Sequence, residues 1–93
     1  MRKYEVVFVF RSEEESFAKG KTYVIEELTR IGGKIEKEED MGNRDLAYQI
    51  KKQTRGHYFL FELTLDPLKI VDVEGNFRLS PEILKYLFIK LDD

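Results

Sequence analysis

The chain has 93 residues, 42% of them hydrophobic and 13% aromatic, enough for one domain with one modest core and too few for two. It has no cysteine, which excludes disulfides and thiolate metal sites and fits a reducing cytoplasm. The net charge of −2 is unevenly spread. Residues 1–12 carry three basic and one acidic side chain and residues 41–60 carry four and one, while the other segments are acidic, so an acidic protein keeps positive edges to offer phosphates.

In the opening MRKYEVVFVF the apolar run is confined to residues 6–10, short of the roughly 7–15 residues of an export signal. No run approaches the roughly 18 apolar residues of a membrane helix. Tyr4, Val6, Phe8 and Phe10 alternate with Glu5, Val7 and Val9, the period of a strand. Ser12 before three glutamates predicts a capped helix start. Phe17, Val24, Leu28 and Ile31 form its apolar stripe, Gly20 weakens its middle, and Gly32-Gly33 ends it.

Residues 34–52 predict a second strand, too long to run straight, with a bulge or bend at Gly42-Asn43. Residues 53–56 predict a turn and residues 58–65 a third strand, the two strands forming an antiparallel hairpin. Asp66-Pro67 marks a second helix start, with Ile70, Val73 and Phe77 as its buried stripe, and residues 83–91 predict a last strand. The order βαββαβ predicts an α+β, ferredoxin-like domain over residues 1–93, a four-stranded antiparallel sheet with two helices on one face.

Such a sheet has one open face. Tyr4, Val6, Phe8 and Phe10 should face the helices, as should Phe59, Phe61, Leu63 and Leu65, and Leu84, Tyr86 and Phe88. The outer set then includes Val7, Val9, Tyr58, Leu60, Leu87 and Ile89, too apolar for a solvated sheet face. Such a patch marks a partner surface or self-association. Antiparallel pairing predicts that Arg2 and Lys3 lie near Lys90 at one end, and that Arg11 lies near Lys51, Lys52 and Arg55 at the other. Both groups are candidate phosphate-binding patches, with ordinary solubilising charge as the alternative.

Catalytic patterns are absent. His57, the single histidine, has no second ligand at metal spacing, and reads as a partly exposed turn residue without an orienting partner. Neither a phosphate-cradling glycine loop nor a nucleophile elbow occurs. The glycine-rich loop of acylphosphatases, which share the topology, is also missing. Residues 55–61 faintly resemble the RNA-recognition-motif signature. However, Tyr58 stands where a small residue belongs and Glu62 where an aromatic does, so base stacking on the sheet is not expected. No cofactor, metal or small-molecule substrate is implied. The competing class is a ferredoxin-like regulatory module that dimerises and binds a small ligand.

The motifs Met1-Arg2-Lys3-Tyr4-Glu5, Gly33-Lys34-Ile35-Glu36-Lys37, the stretch GNRDLAYQIKK from Gly42 followed by Gly56-His57-Tyr58, and LKYLFIK from Leu84 occur in order. With their spacing they resemble bacterial small-subunit ribosomal protein six over nearly the whole chain. The resemblance implies a non-enzymatic, cytoplasmic protein within the small ribosomal subunit. It would bind the central domain of the small-subunit ribosomal RNA together with small-subunit protein eighteen. Arg2, Tyr4, Lys85 and Lys90 match RNA-contacting positions, and Lys3 joins them by position. Arg44, Leu46 and Tyr48 fall in the region implied for the protein partner. Asn43 and Asp45 depart from positions that are more often basic, and Gln49 stands where proline is common.

Overall fold

Period-2 apolar alternation, a glutamate-rich helix start and paired glycines produce their elements in the expected order. The computed structural model describes residues 1–91, and the last two residues of the predicted domain lie outside them. The elements are β1 (Arg2–Phe10), α1 (Glu14–Arg30), β2 (Lys34–Ile50), β3 (Gln53–Leu65), a 3-10 turn (Pro67–Lys69), α2 (Ile70–Leu79) and β4 (Ile83–Lys90). One sheet runs in the order β2-β3-β1-β4, antiparallel at every pairing. This is the ferredoxin-like arrangement, with β1 and β3 central and both helices on one face.

Register brings the inward side chains together. Val6 stands opposite Phe61 and Phe88, and Phe8 opposite Phe59 and Tyr86. The fully buried Phe8 ring meets Phe61 edge-on at 5.8 Å and Phe77 of α2 edge-on at 5.1 Å, a geometry that adds to simple burial. Val24 and Leu28 of α1 and Val73 and Phe77 of α2 join the same cluster. Each such side chain contributes roughly 1.5–3 kcal/mol of transfer free energy.

Both helix boundaries have local causes. Gly32 takes φ +85°, and the amides of Gly32 and Gly33 donate to Thr29 O (3.0 Å) and Leu28 O (2.9 Å), closing α1. The Asp66 carboxylate accepts from the Leu68 amide at 3.0 Å, with Pro67 next to it, but this cap starts the 3-10 turn, which leads into α2 at Ile70. The expected bend in β2 is present too. Pairing slips between Asp40 and Gly42, where Gly42 takes φ +81° and its amide donates to Asp40 Oδ1.

Three local expectations are corrected. Ser12 does not cap α1; the helix begins at Glu14 with Glu13 at its boundary and no side-chain cap bond, because Ser12 lies one residue too early. The hairpin turn is Lys51-Lys52 and not residues 53–56, which already belong to β3. Both lysines take positive φ (49° and 65°), as the twist of a two-residue hairpin loop demands. In β4 a bulge opposite Val9 and Phe10 pairs Ile83 with Phe10. Ile83 thus takes the core position expected of Leu84, which is buried outside the core cluster.

Two helical glycines have opposite surroundings. A methyl group at Gly20 would come within 2.6 Å of a Phe10 ring carbon, while at Gly75 it would meet nothing within 4 Å. Gly75→Ala is expected to raise unfolding stability by roughly 0.5–1 kcal/mol. Gly20→Ala is expected to lower it by roughly 1–3 kcal/mol through overpacking. Urea denaturation of both variants checks this, and effects of equal sign would contradict the packing.

Candidate functional site

β1 pairs with β3 only as far as His57, opposite Phe10. The β2–β3 hairpin therefore continues past the end of β1, and it folds over the open face of the sheet. Val9 reports the fold-over. It points away from the helices, yet it is only 4% exposed. A Cβ on Gly56 would clash with Val9 Cγ1 and lie 3.5 Å from a Leu46 methyl carbon, so the hairpin lies on Val9 as closely as glycine permits.

The even-numbered side chains of distal β2 border the same surface. The Arg44 guanidinium lies 5.8 Å from the Tyr58 ring centroid, and the Lys85 ammonium lies 5.9 Å from that of Tyr48, both within cation–π range. Between them opens a groove of about 220 Å³ lined by Val7, Val9, Tyr58, Lys85, Tyr86 and Leu87. Tyr48 (65% exposed) and Leu87 (56%) leave its apolar rim bare. Arg44, Leu46 and Tyr48 are thus brought together, although Leu46 is half-buried inside the molecule.

The other predicted set divides. Arg2, Lys3, Tyr4 and Lys90 share one sheet end: Tyr4 pairs with Lys90, and the Leu91 amide donates to Lys3 O. Arg2 and Lys90 are exposed, and among the described residues neither enters an ion pair. Lys3 lies 3.6 Å from Glu36 and 3.7 Å from Glu62, so its charge is partly compensated. Tyr4 is only 8% exposed and packs edge-on against Phe88; it supports this end more than it presents itself. Lys85 stands apart, opposite Val9 while Lys90 is opposite Tyr4, about 16 Å along the strand. It belongs to the groove.

A profile described as ribosomal protein S6 matches residues 3–90. A small ribosomal subunit protein bS6 from Treponema denticola is 42% identical over 93 residues, covering all of both chains. Its counterpart from Treponema pallidum is 38% identical over 92 residues, covering 99% of each. The crystal structure of the 30S ribosomal protein S6 from Thermotoga maritima superposes with a TM-score of 0.86 at 31% identity, over 97% of this chain and 87% of that one. The chain belongs to the ribosomal protein S6 family. The ferredoxin-like fold and the resemblance read from the sequence both stand, and the role that the family supports is a structural one in the small ribosomal subunit.

Within this family member, three of the four cations at the far sheet end are already engaged, and Lys52 is left exposed at the turn. Arg11 Nε donates to Pro81 O at 2.8 Å, and Lys51 Nζ donates to Ser80 O (3.1 Å) and Ile83 O (2.8 Å). Arg55 lies 3.4 Å from Asp45. Sequence reading counted these cations but had no means of seeing the carbonyls that receive two of them. His57 is corrected as well. It lies in β3, stacks on Phe17 at 3.6 Å and hydrogen-bonds Asp40 Oδ1 through Nε2 at 2.5 Å. The partner that sequence reading could not see sits 17 residues away at the β2 bend. Among the described residues no group of three or more His, Cys, Asp or Glu is placed to hold a metal ion, and no helix is long and apolar enough to cross a membrane.

The hydrogen bond from His57, followed by that from the Gly42 amide, holds the Asp40 carboxyl below its ordinary pKa against the opposing effect of burial. A carboxyl depressed in the folded state contributes stability above its unfolded pKa, about 3.9, and loses it as pH falls through the lower folded value. Asp40→Asn should therefore be less stable than the parent at pH 6, with the gap narrowing as pH falls below the ordinary carboxyl value of about 3.9. Urea midpoints against pH measure this; a gap independent of pH would show that the charge of Asp40 contributes nothing.

Proposed function

We propose that this chain is a non-enzymatic component of the small ribosomal subunit in the cytoplasm. In this reading it binds the central domain of the small-subunit ribosomal RNA through one sheet end and small-subunit protein eighteen through the groove. The observation that carries the assignment is the separation of two surfaces on one sheet. Arg2 and Lys90 offer exposed cations at one end, while the groove under Arg44 and Tyr48 is apolar with a thin polar rim. Family membership makes RNA and protein the relevant partners, and the chemistry decides which surface suits which.

Clustered cations without planar stacking groups position a phosphate backbone by releasing counterions and read little sequence. Lys3 contributes less, because Glu36 and Glu62 already face it. Tyr4 acts by holding β1 against Phe88. Lys85, read from the sequence with the RNA set, is assigned here to the rim of the protein groove beside Tyr48. An apolar floor with exposed aromatic and arginine side chains at its border has the composition of a protein interface.

Arg2→Ala and Lys90→Ala should each lower affinity for the ribosomal RNA and reduce the slope of log affinity against log salt by about one unit. Filter binding over a salt series measures both, and slopes unchanged in both variants would remove RNA from this sheet end. Tyr48→Ala should leave the fold intact and weaken binding to protein eighteen by roughly tenfold, the scale of an interfacial aromatic anchor. Calorimetric titration reads that, and parental affinity would move the partner off the groove.

A further inference from the structure

Lys51 and Lys52 form the two-residue turn between β2 and β3, and both take positive φ. Glycine or asparagine normally occupies such positions, since an L side chain is strained there. The Lys51 ammonium compensates at one point only: it donates to Ser80 O and Ile83 O, carbonyls that flank the connection from α2 to β4. That connection is itself fixed to the end of β1, because the Arg11 amide donates to Glu82 O at 2.9 Å and Arg11 Nε donates to Pro81 O. The turn is thus anchored to the opposite edge of the sheet across the end of β1.

The backbone between turn and sheet is weakly specified. Pairing passes from Asp45–Arg55 directly to Ile50–Gln53, so residues 46–49 stand opposite Thr54 alone. Ladder hydrogen bonds therefore cannot by themselves fix where Tyr48 points. We infer that Lys51 is a positioning residue for the groove: its ammonium latches the hairpin tip to the α2–β4 connection, and this holds Tyr48 over Lys85 and Leu46 against Gly56. Lys51 acts through the hairpin and does not line the groove. A protein partner settling on the paired residues Val7 and Leu87 meets a rim that is already in place, and it does not have to order the hairpin on binding.

This inference rests on the reading of the groove as the site for protein eighteen, and its test separates the two. In full-length Lys51→Met, amide hydrogen exchange over residues 44–57 should rise by about tenfold while the core strands keep their protection. Affinity for protein eighteen should fall about fivefold, as expected if the latched fraction drops to about a fifth. Lys51→Arg, which keeps donors at the tip, should restore most of both. Lys51→Gly, which relaxes the turn yet lacks the ammonium, should bind as weakly as Lys51→Met and so exclude misfolding as the cause. Unchanged exchange in Lys51→Met overturns the latch. Raised exchange with parental affinity, while Tyr48→Ala binds weakly, overturns the positioning role and leaves the groove standing. Parental affinity in both Lys51→Met and Tyr48→Ala overturns the groove itself, and the positioning role with it.

Discussion

Two helices can cover only one face of a four-stranded sheet, and every later feature of this molecule follows from how the second face is treated. The inward residues of β1 and β3 meet Val24, Leu28, Val73 and Phe77 in one cluster built around the Phe8 ring. The outward residues have no such layer. The chain covers part of that face with its own hairpin, which buries Val9 and leaves Val7, Tyr58 and Leu87 lining a groove. A fully solvated face would need polar residues there, and a fully covered one would have no surface for a partner.

The same overhang governs electrostatics. Basic residues in segments 1–12 and 41–60 suggest two positive ends, but the hairpin brings Lys51 onto backbone carbonyls and Arg55 beside Asp45. Exposed ion pairs contribute little to stability, commonly about 0–1 kcal/mol. Their effect here is to decide which cations still face solvent. Arg2 and Lys90 do, as does Lys52 at the hairpin turn, so a chain of net charge −2 keeps exposed cations to offer a phosphate backbone.

Much of this was legible in the sequence because it depends on local periodicity. The period of two in β1 and β3, Gly32-Gly33, Asp66-Pro67 and the bend at Gly42 each act through neighbours a few residues away. The inward and outward sets of both central strands followed directly. What was not legible depends on contacts distant in sequence. His57 read as an isolated turn residue because its stacking partner Phe17 and its acceptor Asp40 come from α1 and from the β2 bend. Leu84 was placed inward by alternation, and a bulge gave that position to Ile83. Lys51 read as a candidate phosphate ligand because nothing local announces that carbonyls of residues 80 and 83 lie beside it. Arg44, Leu46 and Tyr48 were read as a neighbourhood on β2, but the proximity of Tyr48 to Lys85 depends on the fold-over.

Apart from the β4 bulge and the uncapped start of α1, local rules are broken in one region. The helix stripes, the Asp66 cap and the core alternation of β1 and β3 agree with their sequences, as a well-specified fold requires. The departures are two lysines at positive φ, a slip of register at Met41, four β2 residues opposite one of β3, and a glycine inside β3 pressed on Val9. All of them lie on the β2–β3 hairpin. None of them strengthens the core, and each either bends the hairpin or lets it approach the sheet. Turn residues free of strain and a regular ladder would give a straight, twisted hairpin projecting into solvent past β1. The strained version is curved and anchored. Its departures from local preference therefore serve the shape of the groove and not the stability of the fold, and that is where a protein built to bind should place them.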